Sequence, residues 1–251
     1  MIKRLSLLLT LTSIIFTLSA CSVTKKDSSI SLGQDKRVSL FNGKDLDGWT
    51  VECKAEDKHK QFWRAENGAI VCHSIGRPDH DYVWLVTEKE FGDFELKMKI
   101  QSFRDCPGNS GVQVRSRYDD KAQWLDGPQI DIHPPDPWRS GYIYDETREF
   151  KRWIHPSLPS WDIERSQVKG GQNWKHADDS NGWNTIHIIC NGMTIKTYVN
   201  GNQIADFDGT GILDDAAHRK HNVGRKGHIA LQLHSDDELL IKFKDVYLKP
   251  L

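Results

Sequence analysis

Apolar and polar residues alternate along many short stretches of this chain, from Val38 to its end. The stretch 91–100 places Phe94, Leu96, Met98 and Ile100 between mostly charged or polar residues, and 127–133 shows the same period of two. This period is typical of strands with one buried face. Asn-Gly pairs at 42–43, 67–68, 191–192 and 200–201 indicate turns between strands. Because no long amphipathic helix is evident, the pattern predicts an all-β fold, a two-sheet antiparallel β-sandwich of the jelly-roll type.

Three of the predicted strands, 110–117, 127–133 and 227–234, carry unusual polar faces. Their outward positions hold amides, imidazoles, guanidinium groups and a carboxylate rather than the lysine, glutamate and threonine mixture of a solvated sheet. Planar groups of this kind form directed hydrogen bonds with sugar hydroxyls. A solvated face is the simpler interpretation of any one strand, but three similar faces favour a binding surface. If the strands share one sheet, a single concave surface would hold Gln113, Arg115, Gln129, Asp131, His133, Gln232 and His234.

The segment 134–183 interrupts the alternation of apolar and polar residues, and it contains several prolines and seven tryptophan and tyrosine residues. Only 141–144 resembles a strand. Long irregular insertions in compact domains are usually functional or disordered, and the many tryptophans argue against disorder. Most of these rings would form a small satellite core. Because indole and phenol rings also stack on the C–H faces of sugars, we interpret Trp138, Tyr142 and Tyr144 as candidates for sugar contact.

The first residues have the features of an export signal. Lys3 and Arg4 precede an apolar run that ends in Leu18-Ser19-Ala20-Cys21, which resembles a bacterial lipobox. This pattern predicts a lipoprotein signal peptide at 1–21, a polar tether at 22–37 and a single domain at 38–251. Cleavage before Cys21 and lipidation of its thiol would anchor the protein to a membrane of the bacterial cell envelope, on the periplasmic side or at the cell surface.

Charge and cysteine content narrow the possible partners. The formal net charge of −1 becomes −3 when Lys3 and Arg4 leave with the signal, and no basic run is present, which argues against nucleic acid. Four cysteines remain in the exported chain, and an oxidising compartment would permit disulfides. We expect a pair between Cys53 and Cys72, on neighbouring predicted strands, while Cys106 and Cys190 leave other pairings open. The absence of a C-x-x-C motif argues against a zinc or redox site.

Several motifs together resemble the 3-keto-disaccharide hydrolase domain family, whose fold is similar to that of concanavalin-type lectins and glucanases. They are Leu40–Trp49, Asp93–Leu96, Gly108–Arg115, Gly127–Ile132, Ser140–Tyr144, Trp183-Asn184, Asn200-Gly201, Ile229–His234 and Phe243–Val246. The resemblance runs from about Val38 to Leu251. It implies a jelly roll with its site on the concave sheet, and a hydrolase that acts on a 3-keto-disaccharide or 3-keto-glycoside. Many members carry Glu or Gln at Asp131 and Gly at Asp145.

The chemistry of a 3-keto sugar suggests roles for the polar residues. The ketone acidifies the proton on C2, so a base can start an elimination that water later reverses to net hydrolysis. Asp131 is the candidate base and Arg115 the candidate cation for the enolate. The candidates for the acid are His234 and His133, and Glu146 could exchange roles with Asp131. Conventional acid–base hydrolysis is an alternative route.

Two further interpretations stay open at this stage. No cofactor is required, but a divalent metal could replace Arg115 as the electrophile, with Asp131, His133, Glu146 and His234 as possible ligands. The main alternative to an enzyme is a non-catalytic carbohydrate-binding envelope lipoprotein, because lectin-like folds also include pure binders.

The lipobox gives the first testable prediction. Cys21→Ser should abolish fatty-acid labelling of the expressed protein and release it from the membrane fraction, because the mutant lacks the thiol that carries the lipid. Labelling is measured with a radioactive or clickable fatty acid in the producing bacterium. Persistent labelling of the mutant would show that Cys21 is not the anchor.

Overall fold

The structure is a computed structural model that describes residues 37–251 except Pro107, Leu158, Pro159, Trp161 and Lys169. The predicted export signal, Cys21 and all of the predicted tether except Arg37 lie outside the described residues. The described residues form one compact unit. Among the described residues, no helix is both long enough and apolar enough to span a membrane.

Two antiparallel sheets of eight strands each make up this unit. The order in the first sheet places β6 and β16 at its centre. Its strands, from one edge to the other, are β14 (Asn202–Asp208), β13 (Thr194–Val199), β12 (Asn184–Asn191), β6 (Phe94–Ser102), β16 (Leu240–Pro250), β4 (Ala69–His73) and β3 (Trp63–Glu66), with β1 (Val38–Ser39) paired to β16.

The second sheet carries the three strands with unusual polar faces, and they lie side by side at its centre. Its strands, in order, are β11 (Arg152–His155), β10 (Ile143–Asp145), β9 (Pro128–Ile132), β7 (Ser110–Asp119), β15 (His228–Leu233), β5 (Val83–Thr87) and β2 (Trp49–Cys53), with β8 (Trp124–Asp126) paired to β7. Two short helices, α1 (Ala177–Ser180) and α2 (Ala216–His221), complete the fold. The predicted all-β sandwich is therefore confirmed.

The apolar core contains the alternate residues that the period of two assigns to it. Leu96, Met98 and Ile100 of β6 enter the core from the first sheet, and Ile130 and Ile132 of β9 enter it from the second. Each of these side chains is almost completely buried. Because strand side chains alternate between faces, the neighbours of Ile130, which are Gln129 and Asp131, must point to the other face of the second sheet.

Arg115 departs from this alternation, and its predicted place on the shared polar surface is wrong. Gln113 pairs with Ala230 and Ser116 pairs with His228, so two residues of β7 face one residue of β15. This is a β-bulge, and Arg115 occupies it in the left-handed region at φ 51°. The extra residue turns the side chain away from the face that carries Gln113.

The Arg115 guanidinium instead joins three loops at one end of the sandwich. It donates hydrogen bonds to the carbonyl oxygens of Gly92 (2.8 Å), Gly192 (2.7 Å) and Gly224 (3.3 Å), and to Asp93 Oδ1 (2.7 Å). The side chain is fully buried. Arg115 therefore stabilises the fold and does not line a polar surface.

The aromatic insertion contributes two strands to the second sheet, β10 and β11, of which the sequence predicted only the first. Tyr142 precedes β10 and follows Gly141, which adopts φ 96°. The alternation of β10 starts at Ile143, so Tyr142 and Ile143 both enter the apolar core. The prediction that Tyr142 contacts a sugar is therefore wrong, because its ring is buried between the sheets.

The four described cysteines, Cys53, Cys72, Cys106 and Cys190, are free and buried. Cys53 ends β2 in the second sheet, whereas Cys72 lies on β4 in the first. These strands are not neighbours, and the expected Cys53–Cys72 disulfide is therefore wrong.

Candidate active site

A pocket of about 370 Å³ lies over the polar face of the second sheet. Its floor and walls come from β9, from β10 and the residue after it, from the ends of β5 and β15, and from the aromatic insertion. Six residues singled out from the sequence line it, namely Gln129, Asp131, Trp138, Tyr144, Glu146 and His234. Residues that the sequence reasoning missed also line it, including Tyr82, Asn109, Trp124, Arg139, Lys151 and Trp153.

Asp131 lies on the pocket floor with only 2% of its surface exposed. Burial disfavours the charged carboxylate and raises its pKa to about 6, although the nearby Arg139 cation and the Asn109 side chain act in the opposite direction. Arg139 Nε lies 3.4 Å from Asp131 Oδ2. The result is a carboxyl group that can gain or lose a proton near neutral pH, next to a permanent cation.

Glu146 is the second buried carboxyl group of the pocket, with 5% of its surface exposed. Burial raises its pKa to about 7, and the negative charges of Asp145 and Asp131 add to this effect. The Gln232 amide, which donates to Glu146 Oε1 at 3.4 Å, and the Lys151 ammonium oppose it. Near pH 6.5 the pocket can therefore hold Asp131 mostly as the base and Glu146 mostly as the acid.

His234 binds its neighbours through both ring nitrogens. Nδ1 lies 3.0 Å from the carbonyl oxygen of Ser235, which can only accept, so Nδ1 carries the hydrogen of the neutral ring. Nε2 then accepts from the Tyr82 hydroxyl at 2.8 Å. Burial raises the pKa of Tyr82, so the phenol stays protonated. In this arrangement His234 orients Tyr82, and a role for His234 as the acid would require the bond to Tyr82 to break.

The remaining predicted residues lie beside or beneath the pocket. His133 is half-buried, its Nδ1 accepts from the Asp136 backbone N–H at 3.2 Å, and burial with the Arg139 charge lowers its pKa to about 4. It is therefore neutral near pH 7 and a poor proton donor. Gln232 and Gln113 are fully buried under the floor, where the Gln113 amide donates to the Leu125 carbonyl oxygen at 3.3 Å.

Aromatic rings hold the two cations that the sequence analysis did not single out. The Arg139 guanidinium lies 5.3 Å from the centre of the Trp153 ring, and the Lys151 ammonium lies 3.4 Å from the centre of the Trp124 ring. Trp124 is itself fixed, because its Nε1 donates to the Glu146 carbonyl oxygen at 2.8 Å. These residues come from turns and strand ends, where no periodic pattern could indicate their direction.

Glycine at position 111 sets the depth of the floor. Gly111 pairs with Asp131 on one side and with Gln232 on the other. A Cβ atom there would lie 2.3 Å from Gln129 Cδ, which is far inside the contact distance. Only glycine therefore lets the Gln129 side chain lie across β7.

Several buried oxygen atoms at this site accept no hydrogen bond from the described residues. They are Asn109 Oδ1, Gln129 Oε1, Asp131 Oδ2 and Gln232 Oε1. A buried acceptor without a hydrogen bond is costly, so such atoms favour a ligand that brings several donors. A polyhydroxylated ligand meets this requirement. Across the part of the chain that the structure describes, no three His, Cys, Asp or Glu side chains group to hold a metal ion, so the suggested ligand set does not assemble.

Burial of Asp131 yields a prediction about stability. Its folded pKa lies above the value of 3.8 for an exposed aspartate, so stability falls as the pH rises from about 3.8 to about 6, and the full cost of the buried charge is present above that range. Asp131→Asn should therefore raise the free energy of unfolding by about 1–3 kcal/mol near pH 8, and by much less near pH 4.

Urea unfolding at the two pH values measures this difference. Asp136→Asn is the matched control, because Asp136 is an exposed carboxylate at the same pocket and should change the free energy by less than about 0.5 kcal/mol. Equal or lower stability of Asp131→Asn near pH 8 would contradict the burial cost.

Solved structures with the same fold include carbohydrate-related proteins. Two crystal structures of inferred glycosyl hydrolases from Parabacteroides distasonis ATCC 8503 have TM-scores of 0.53 and 0.51 at 21% and 20% identity. Each alignment covers 86% of this chain, with 100% and 94% of the other chain. The cellulose-induced protein Cip1 has a TM-score of 0.52 at 11% identity, over 86% of this chain and 97% of that one. At these identities the likeness shows the fold alone.

No curated protein matches the sequence. A family model does match, and it covers residues 36–249, which is nearly the whole described domain. The resemblance indicated by the motifs is thereby confirmed, and the chain belongs to the family of the 3-keto-alpha-glucoside-1,2-lyase-like domain.

Proposed function

We propose that this protein cleaves the glycosidic bond of a 3-keto-glycoside, with the ring that reacts bound in the pocket over the second sheet. The observation that carries the proposal is the pair of buried carboxyl groups, Asp131 and Glu146, whose pKa values lie at about 6 and about 7 in one pocket. Perturbed carboxyl pairs of this kind are typical of acid–base sites. Family membership supports a sugar as the ligand.

The first step in this mechanism is removal of the C2 proton. The ketone at C3 makes this proton acidic, and the Asp131 carboxylate accepts it. The electron pair moves toward the ketone oxygen and forms an enolate. Arg139 replaces Arg115 as the cation that stabilises this oxygen, because its guanidinium lies beside Asp131 and its Nε has no hydrogen-bond partner among the described residues.

The second step breaks the bond between C1 and the glycosidic oxygen. The enolate electrons form a C1–C2 double bond, and Glu146 gives its proton to the departing oxygen. The products are an unsaturated 3-keto sugar and the free alcohol. Addition of water then reverses the proton transfers, because Asp131 returns a proton to C2, hydroxide adds to C1, and Glu146 takes the proton that the water releases. The net reaction is hydrolysis. If the unsaturated 3-keto sugar left the pocket before water added to it, the enzyme would instead be a lyase.

Deuterium labelling separates this route from its alternatives. In D₂O, elimination followed by hydration places deuterium on C2 of the product, whereas conventional hydrolysis leaves C2 unlabelled. The substrate is the methyl α-glycoside of 3-ketoglucose, with the parent methyl α-glucoside as control, and the products are identified by NMR. Saturable binding without any turnover would favour the carbohydrate-binding alternative.

The lipid-anchored envelope location also remains part of the proposal, and its support is the sequence of residues 1–21.

The two carboxyl groups predict a narrow pH profile. The active form needs Asp131 without its proton and Glu146 with it, so kcat/KM should fall below about pH 6 and above about pH 7. Glu146→Gln should remove the upper limb, and Asp131→Asn the lower limb. Each change should also lower kcat/KM by about a hundredfold or more. A profile with the same two limbs in either variant would show that the changed residue does not produce them.

The two arginines form a matched test of position. Arg115→Lys should lower the free energy of unfolding by about 2–4 kcal/mol, because the ammonium cannot replace hydrogen bonds to three loops. Its kcat/KM per folded molecule should stay at the wild-type value. Arg139→Lys should change stability by less than about 1 kcal/mol, but kcat/KM should fall by about tenfold or more as the fork geometry is lost. If Arg115→Lys lowered kcat/KM and Arg139→Lys lowered only stability, Arg115 would be the cation that stabilises the enolate.

A further inference from the structure

We infer that His218, in helix α2, is a positioning residue that holds the turn from which Glu146 reaches the reaction pocket. The inference rests on the proposed function, in which Glu146 is the acid, and it adds a residue on which the position of this acid depends. His218 is fully buried and does not line the pocket. It can therefore act on the reaction only through the residues that it contacts.

One ring nitrogen of His218 contacts the residues on both sides of Glu146. Nε2 lies 3.4 Å from Asp145 Oδ1 and 3.3 Å from Thr147 Oγ1. The Thr147 backbone N–H also donates to Asp145 Oδ1 at 3.0 Å, which closes a turn around Glu146. Asp145 and Thr147 are fully buried. His218 therefore holds the turn at both of its ends.

The turn determines where the Glu146 carboxyl group points. Asp145 ends β10 and its side chain faces helix α2, so the next residue, Glu146, points to the opposite side, where the pocket lies. The Glu146 backbone is held as well, because its N–H donates to the Gly127 carbonyl oxygen at 3.0 Å and its carbonyl oxygen accepts from Trp124. With this backbone fixed and the flanking side chains held by His218, the carboxyl group keeps one direction.

The His218 ring is itself fixed on its other side. Asp215 caps helix α2, because its Oδ1 accepts from the His218 backbone N–H at 2.9 Å, and the same oxygen lies 2.9 Å from Nδ1 of the ring. Carboxylates at both ring nitrogens favour the imidazolium, which donates from each of them. Burial lowers the pKa of His218, but the hydrogen bonds and charges of Asp145 and Asp215 raise it above its usual value. The ring is therefore a charged link between helix α2 and the turn.

The same contacts fix a charge beside the proposed acid. Burial is the largest cause of the raised pKa of Glu146, and the negative charge of Asp145 adds to it. Because His218 holds Asp145, this charge keeps a constant distance from Glu146. His218 therefore acts on the acid in two ways, through its direction and through its proton affinity.

A double-mutant cycle tests whether His218 acts through Glu146. The variants are His218→Gln, Glu146→Gln and their combination, and kcat and KM are measured per folded molecule with the methyl α-glycoside of 3-ketoglucose. The matched control is His221→Gln. His221 lies on the same helix, but its Nδ1 contacts Arg148 Nη2 at 2.9 Å rather than the residues beside Glu146.

We expect His218→Gln to lower kcat by about tenfold or more with little change in KM, because the acid is used in the transition state. The same substitution should cost less than about twofold in the Glu146→Gln background, since no acid remains to be positioned. His221→Gln should keep the wild-type kcat. Equal losses in both backgrounds would show a general structural role and overturn the inference, and so would a wild-type kcat in His218→Gln.

A second pair of variants covers the case in which His218→Gln does not fold. Thr147→Val removes the hydroxyl that contacts His218 and keeps the shape of the side chain, whereas Thr147→Ser keeps the hydroxyl. We expect Thr147→Val to lower kcat by about threefold or more, and Thr147→Ser to stay within about twofold of wild type. Equal kcat values in the two variants would overturn the inference.

If wild type does not turn over the substrate, the proposed function fails, and hydrogen exchange tests the position of Glu146 directly. The probes are the backbone N–H groups of Glu146 and Thr147, and that of Asp131 is the internal control, because each donates one hydrogen bond of 2.9–3.0 Å. His218→Gln, or Thr147→Val in its place, should speed exchange at the two probes by about tenfold or more relative to Asp131. The same factor at all three groups would contradict a local role and overturn the inference.

Discussion

The cost of burying two carboxyl groups over the second sheet is the constraint on which this site depends. The central strands of this sheet have no exposed face. One face packs on the apolar core, and the other forms the floor of the pocket beneath the aromatic insertion. Asp131 and Glu146 therefore lose most of their hydration, and few partners replace it. A protein under selection for stability alone would replace these groups by neutral ones. Their presence, with proton affinities brought near neutral pH, is the strongest physical argument for chemistry at this site.

The surrounding residues limit this cost without removing it. Arg139 lies near Asp131, and Gln232 and Lys151 act on Glu146, yet burial remains the largest influence on both carboxyl groups. Arg139 and Lys151 lie over tryptophan rings, which restricts where each positive charge can move. The strand β9 supplies Asp131, whereas the aromatic insertion supplies Glu146 together with the two cations, Arg139 and Lys151.

Both the sandwich and part of the pocket could be predicted from the sequence, because side chains along a strand alternate between the two faces of a sheet. Alternation placed Gln129 and Asp131 on the same face of β9, opposite Ile130 and Ile132 in the apolar core. It failed at Arg115, where a bulge adds one residue, and at Tyr142, which lies before its strand begins. Tyr82, Arg139 and Lys151 could not be found in this way, because turns and strand ends have no period. Their positions depend on contacts between segments far apart in the chain.

The glycine at position 111 has a consequence for how substrate range could change. Gly111 lies between Asp131 and Gln232, and the Gln129 side chain occupies the space where a Cβ atom would be. One methyl group at this position would clash with the Gln129 side chain and displace it from its place in the pocket. We therefore expect that a single substitution of Gly111 changes how much space the pocket offers above Asp131.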